Sequence, residues 1–240
     1  MQAFHSFMQR RHSPSSGALS KEASKATKGL VVNMGWRYDL FEWVVDPLLF
    51  RGQLRALWRK TIDLARLQPG EYALDVGCGT GTLALAVARR VGSSGRVVGI
   101  DPSAQQIARA RAKAARRNAS IEFQTAVIER LPFPEQTVDV VFSTLMMHHL
   151  PGPLKRQGLA EIARALKPGG RLVIGDFVRK QDRTGQAAHF HAGGSSIADL
   201  ASLLVDAGFE NITTEALPTK RFSSFPGAGF VLAYKGHEPQ

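Results

Sequence analysis

The sequence contains 240 residues with a formal net charge of +11, and 44% of its residues are hydrophobic. A chain of this length can form one large α/β domain with its own core. Its single cysteine, Cys78, excludes an internal disulfide and is typical of a reducing compartment, so we expect a cytoplasmic protein. No apolar run is long enough to span a bilayer.

The N-terminal region is predicted to contain two different segments. Residues 1–30 are basic, rich in Ser, Lys and Ala, and without the apolar stretch of a secretory signal. A mitochondrial presequence has a similar composition and stays open as an alternative, but we expect a mobile tail. Residues 31–240 are expected to form a single domain. At its start, residues 36–68 contain dense apolar residues broken by Pro47, which predicts an amphipathic helical segment ahead of the first strand.

Residues 73–84 combine a short apolar run, an acid and three glycines at alternate positions, Gly77, Gly79 and Gly81. This pattern predicts a strand, a tight turn and a helix, the geometry with which a doubly wound α/β sheet holds nucleotide-like ligands. We expect Gly77 to allow the sharp turn and Gly79 to let a ligand approach the main chain. Gly81 would let the helix sit close to the strand.

The spacing of this loop distinguishes between ligands. A dinucleotide fingerprint reads G-x-G-x-x-G, whereas Thr82 stands here where the third glycine of that fingerprint would fall. Asp75, at the strand end, would repel a pyrophosphate but attract an ammonium group. S-adenosylmethionine has an amino-acid end and no phosphate, so it fits this loop. A dinucleotide-dependent oxidoreductase stays open as an alternative.

The second strand also ends in an acid. Asp101 lies about 20 residues past the glycine loop, where such folds place a carboxylate on the ribose hydroxyls.

Residues 179–194 are polar and Gly-rich and predict a loop. The remaining predictions are strands at 72–76, 96–101, 120–125, 138–143 and 170–177, strands near 210–217 and 228–235, and helices at 81–91, 103–118, 153–166 and about 195–208.

Four stretches together carry a family resemblance: residues 73–84, 96–101, 131–143 and 166–174. In this order and spacing they resemble the class I S-adenosylmethionine-dependent methyltransferases, in particular the group that includes the ubiquinone and menaquinone C-methyltransferases. The resemblance covers roughly residues 36–178. It implies a Rossmann-like, doubly wound seven-stranded sheet with the last strand antiparallel and helices on both faces, a helical cap over the active site, and S-adenosylmethionine as cofactor.

The resemblance also implies cofactor contacts. Gly77, Gly79 and Thr80 would face the methionine end, with Asp75 near its ammonium group, and Asp101 would hold the ribose.

The sequence departs from the family at the loop after the third strand. Many relatives have an aspartate there that accepts a hydrogen bond from the adenine amine, whereas this chain has Val127 and Ile128. We expect their backbone to pair with the adenine edge and their side chains to sandwich the ring.

The acceptor is expected to lie near the end of the fourth strand, where His148 and His149 follow within a few residues. Ligand crevices of open α/β sheets lie at the carboxyl ends of strands, so either histidine is a candidate general base, or else packs structurally. An apolar stretch at 41–50 predicts a small, largely apolar acceptor methylated at carbon, oxygen or nitrogen. Further apolar side chains expected near it are Met146, Met147, Phe222, Phe225 and Phe230.

The positive charge leaves another function open. Basic residues cluster in the N-terminal tail and in the helix at 103–118, and such clusters can bind RNA, an anionic membrane surface or an acidic partner. The Asn- or Asp-Pro-Pro-aromatic signature of nucleic-acid amino-methyltransferases is absent after the fourth strand, which disfavours nucleic acid. His189 and His191, without an acid nearby, make a poor metal site, and we expect no metal.

Overall fold

The computed structural model describes residues 27, 29, 44, 46–48, 50–177, 197–218 and 227–236, and these contain one mixed seven-stranded sheet. Its strands are β1 (Tyr72–Val76), β2 (Arg96–Asp101), β3 (Glu122–Thr125), β4 (Val138–Thr144), β5 (Leu166–Phe177), β6 (Phe209–Leu217) and β7 (Ala228–Lys235). They lie in the order β3-β2-β1-β4-β5-β7-β6, and β7 is antiparallel to both its neighbours. The prediction of an antiparallel last strand is therefore confirmed.

Helices cover both faces of the sheet. They are α1 (Gln53–Ala65), α2 (Thr82–Val91), α3 (Ala104–Arg116), α4 (Gly152–Ala165) and α5 (Ile197–Asp206), with a 3₁₀ turn at Met147–His149. Side chains alternate between the faces along each strand, so Leu74 and Val141 pack with α4 and α5. Ala73 and Val140 pack with α1, α2 and α3. The strands thus read as continuous apolar runs because both faces are buried.

Helix α1 is anchored by an acid that precedes it. The fully buried Asp46 carboxylate accepts hydrogen bonds from the backbone N–H groups of Leu54 at 2.8 Å and Arg55 at 3.4 Å. Because these N–H groups have no acceptor within the helix, Asp46 supplies the hydrogen-bond acceptors for the first turn of α1. Most of the predicted helical segment before residue 44 lies outside the described residues.

The structure differs from the sequence prediction at the start of β5. We expected a Pro-Gly-Gly turn and a strand from residue 170, but β5 begins at Leu166. Val138 pairs with Leu166 and Val140 with Arg171, so a bulge takes up the extra residues. Gly169, with φ +72°, adopts the left-handed conformation that this bulge contains.

Of the segment predicted to be a mobile tail, residues 1–30, the structure describes Thr27 and Gly29. The Thr27 hydroxyl donates to the Glu129 carboxylate at 2.5 Å, and Gly29 lies against Leu150. The loop predicted at 179–194 lies outside the described residues. Among the helices described, none is long and apolar enough to cross a membrane.

Candidate active site

The glycine loop between β1 and α2 is held to the neighbouring strand β2. The backbone N–H groups of Gly77 and Cys78 both donate to the Ile100 carbonyl, at 2.8 and 2.9 Å. Gly77, Gly79 and Gly81 have φ angles of +75°, +52° and +78°, which residues with a Cβ adopt rarely. The loop conformation therefore depends on glycine at all three positions.

The surroundings of the three glycines differ in a way that defines a ligand site. A Cβ on Gly77 would lie 2.4 Å from Met146 Cγ, and a Cβ on Gly81 would lie 2.8 Å from Phe123 Cζ. Within 4 Å of a Cβ on Gly79 there is no atom of the described residues other than its neighbours in the chain. The loop is thus packed tightly on either side of one open position, Gly79, where a ligand can reach the main chain.

Two carboxyl groups border this open position. Asp101 accepts hydrogen bonds from the backbone N–H of Gly79 at 3.1 Å and of Ser103 at 2.8 Å. Burial raises the pKa of Asp101 to about 6, although part of the residue reaches the surface and the two N–H donors oppose the shift. Asp75 is almost completely buried in β1, and its Oδ2 has no hydrogen-bond partner among the described residues.

Burial also raises the pKa of Asp75, to about 7. The nearby Asp101 carboxylate adds to this shift, and the Ala84 backbone N–H, which bonds to Asp75, opposes it. A buried carboxylate oxygen with no donor is costly unless a ligand supplies one. Gln106, one turn into α3, presents a second buried acceptor, Oε1, without a partner. Open space at Gly79 and unpartnered buried acceptors fit a cofactor with an ammonium group and several donors, as S-adenosylmethionine has.

Replacing Asp101 with alanine is expected to weaken S-adenosylhomocysteine binding by about 1.5–3 kcal/mol, the usual loss for charge-assisted hydrogen bonds. The same change removes an acceptor for the Gly79 and Ser103 N–H groups. Isothermal titration of the variant measures the effect. An affinity equal to that of the unmodified protein would exclude Asp101 from the cofactor site.

The Thr80 hydroxyl has a partner on α3. It is buried and accepts a hydrogen bond from Lys113 Nζ at 2.8 Å, and the Thr82 hydroxyl accepts from the same ammonium at 2.9 Å. The expected contact of Thr80 with the methionine end of the cofactor stays a prediction.

The two residues predicted to contact adenine, Val127 and Ile128, differ in their surroundings. Ile128 is buried in the core against α4, where a Cβ on Gly158 would lie 2.6 Å from its Cγ1. The expected contact of its side chain with the adenine ring stays a prediction. Val127 remains half-buried, just beyond the end of β3.

His148 is held by an acid that we did not single out from the sequence. Its Nδ1 lies 2.6 Å from Asp176 Oδ1, and its backbone N–H donates to Asp176 Oδ2 at 3.0 Å. Asp176 is 2% exposed and lies at the carboxyl end of β5. It ends an apolar strand, as Asp75 and Asp101 do, and this pattern was available in the sequence.

The chain turns sharply between β4 and this histidine. Leu145 adopts φ +53° and donates its N–H to the Gly175 carbonyl at 2.8 Å. Left-handed leucine is strained, and such strain is common at functional sites. Met146 follows and lies on Gly77, so His148 comes two residues after a direct contact with the glycine loop.

The other expected acceptor-site residues are placed differently. The His149 ring lies 3.8 Å from the His148 ring, measured between centroids. Met147 and Phe230 are buried in the core. Phe222 and Phe225 lie outside the described residues.

His189 and His191, at which we expected no metal, also lie outside the described residues. In the described part of the chain, no group of three or more His, Cys, Asp or Glu side chains is placed to hold a metal ion.

Known proteins share these features. A family model described as "Methyltransferase domain" matches residues 73–170. A ubiquinone/menaquinone biosynthesis C-methyltransferase of Ectopseudomonas mendocina is 30% identical, over 91% of this chain and 91% of that protein. The chain belongs to the class I S-adenosylmethionine-dependent methyltransferases. The cofactor of this family is the one that the open glycine position and the buried acids fit.

Two further methyltransferases extend the comparison. An arsenite methyltransferase of Halobacterium salinarum is 33% identical over 62% of this chain, and the chain spans only 39% of that relative's length. A crystal structure of an S-adenosylmethionine-dependent methyltransferase from Aquifex aeolicus is 23% identical with a TM-score of 0.63, covering 80% of this chain and 93% of that one. This last likeness shows the fold.

Proposed function

We propose that this methyltransferase acts on a small, largely apolar acceptor, from whose reacting carbon, oxygen or nitrogen atom His148 removes a proton. The observation that carries the proposal is the 2.6 Å contact of His148 Nδ1 with Asp176. An ionised Asp176 accepts a hydrogen bond from Nδ1–H, so the lone pair is on Nε2. Nε2 is therefore the ring nitrogen that can take a proton from the methyl acceptor.

The position of the pair supports a role in the reaction. The bound cofactor supplies an electrophilic methyl group on a sulfonium. Asp75 and the glycine loop would hold its amino-acid end, and Asp101 its ribose. A neutral imidazole accepts the acceptor's proton without adding a fixed anion beside the sulfonium. The remaining contribution of the protein is alignment and exclusion of water.

Apolar side chains also lie near His148, beside the polar Asp176 and His149. The Phe177 ring lies 5.2 Å from the His148 ring, and the half-buried Met146 lies between the histidine turn and the glycine loop. Apolar walls with one polar group are typical of small-molecule sites. The names of the relatives, which refer to arsenite and to quinone biosynthesis, also support a small acceptor.

The basic helix gives less support to an RNA substrate than the sequence suggested. Arg111 donates to the Phe123 carbonyl, and Lys113 to two threonines, so both cations hold the fold together. Fewer positive charges on α3 are thus left to contact phosphates.

Transfer of a labelled methyl group to a panel of acceptors tests the proposal. We expect turnover with phenols, enols or quinone-like molecules that carry an acidic proton, and little with tRNA or ribosomal RNA. Robust methylation of RNA, with no activity on any small acceptor, would contradict it. Measurements at low and high salt identify charge-driven RNA binding, which weakens steeply as salt rises.

A further inference from the structure

Lys113 makes a bridge between α3 and the cofactor loop. Its ammonium group donates to the Thr80 hydroxyl at 2.8 Å and to the Thr82 hydroxyl at 2.9 Å, across 33 and 31 residues of sequence. These two threonines flank Gly81, where the loop ends and α2 begins. One side chain of a neighbouring helix thus holds both sides of the junction.

At this junction Gly81 has no side chain with which to cap α2, and the Asp75 carboxyl accepts a hydrogen bond from the Ala84 backbone N–H in the first turn of the helix. The N-cap of α2 is Gly81, and it makes no side-chain capping hydrogen bond. The positive end of the α2 dipole disfavours a cation, so helix electrostatics do not explain why Lys113 lies there. Its hydrogen bonds to the two hydroxyls account for its position.

The loop has a strong need for such an anchor. Gly77, Gly79 and Gly81 give it more conformational freedom when it is not held than other residues would. If the loop were mobile before binding, ordering it would reduce cofactor affinity. The contacts of Gly81 with Phe123 and Ala110 hold one side of the loop, and Lys113 adds polar bonds beside them.

We propose that Lys113 is a positioning residue that holds the glycine loop in its cofactor-binding conformation. It acts through Thr80 and Thr82 and not by touching the cofactor. This inference rests on the cofactor of the family and is independent of the acceptor and of His148.

Isothermal titration with S-adenosylhomocysteine tests the proposal in Lys113→Met. We expect the affinity to fall about 10-fold, in line with the loss of two charge-assisted hydrogen bonds. Arg116→Met is the matched control, because it removes a cation from the last turn of the same helix at an exposed position. Its affinity should stay within about twofold of the unmodified protein, since isolated surface charges contribute little.

A double-mutant cycle separates positioning from general destabilisation. In a Thr80→Val/Thr82→Val background, the change of Lys113 to methionine should weaken binding little further. Hydrogen exchange of residues 77–84 should accelerate in Lys113→Met, with the central strands unchanged. If Lys113→Met does not fold, Thr82→Val alone should still weaken binding several-fold. Equal cofactor affinities of Lys113→Met and Arg116→Met would overturn the proposal. So would a fall in affinity on changing Lys113 to methionine that is as large in the Thr80→Val/Thr82→Val background as in the unmodified protein.

Discussion

Replacing His148 with glutamine is expected to lower the methyl-transfer rate by about 100- to 10,000-fold, the usual contribution of a general base. Affinity for S-adenosylhomocysteine should stay unchanged, because Asp75, Asp101 and the glycine loop are intact. Glutamine retains a polar side chain but has no basic nitrogen. Rates at saturating acceptor and cofactor, together with calorimetric affinities, separate chemistry from binding.

Two further variants identify what the histidine needs. Asp176→Asn should also lower the rate, since an amide does not hold the imidazole in the same tautomer and charge state. His149→Gln is the comparison variant: the His149 ring adjoins that of His148, but the 2.6 Å contact with Asp176 is made by His148 Nδ1, and we expect a smaller loss. If both His148→Gln and Asp176→Asn turn over at the wild-type rate, the contact between His148 and Asp176 is structural and does not contribute to catalysis.

Replacing Asp75 with asparagine is expected to change binding and stability in opposite directions. Cofactor affinity should fall by about 1.5–3 kcal/mol, because the neutral amide loses the charged bond to an ammonium group. The ligand-free protein should become more stable at alkaline pH, because the buried carboxylate no longer has to ionise. Opposite changes in cofactor affinity and in ligand-free stability are typical of a binding site that is destabilising until its ligand is bound.

The direction of the pH dependence follows from the raised pKa of Asp75, about 7 against an ordinary value of 3.8. Between these values the folded protein holds a proton that the unfolded chain has lost. The free energy of unfolding therefore falls as pH rises across this window and is level above it. A difference of about three units corresponds to roughly 4 kcal/mol at most, less the cost of burying the amide N–H groups of asparagine.

Binding is linked to the same proton. An ammonium group prefers the ionised Asp75, so S-adenosylhomocysteine affinity should rise with pH until Asp75 is ionised, near pH 7. This rise should be smaller in Asp75→Asn, in which Asp101, with a pKa of about 6, still ionises. The exposed Asp63, which pairs with Arg90, offers a control, and Asp63→Asn should leave the affinity as it is. Equal affinities and equal pH profiles for Asp75→Asn and the unmodified protein would remove Asp75 from the site.

The sequence was sufficient to predict the sheet and the position of the cofactor loop. The apolar runs, the terminal acids and the alternate glycines are local patterns, and they define strands and turns directly. The bulge at the start of β5 was missed because Pro-Gly-Gly signals a turn, whereas pairing of Leu166 with β4 is decided by the neighbouring strand.

Side-chain directions in the site were harder to predict. Ile128 faces the core because Gly158 leaves room for it on α4, and Thr80 faces α3 because Lys113 lies there. Both partners are about 30 residues away in sequence, and no local pattern connects them. Asp176 could have been found, since an acid that ends an apolar strand had already indicated Asp75 and Asp101.

The most direct test of the proposed function is single-turnover methyl transfer to a phenolic or enolic acceptor, compared between the unmodified protein and His148→Gln from about pH 5 to 9. For the unmodified protein we expect a rate that rises with pH, because a general base must be unprotonated to accept a proton. For His148→Gln we expect a low rate that no longer depends on pH in this range. A variant with the wild-type rate and the wild-type pH profile would contradict a role of His148 as the base.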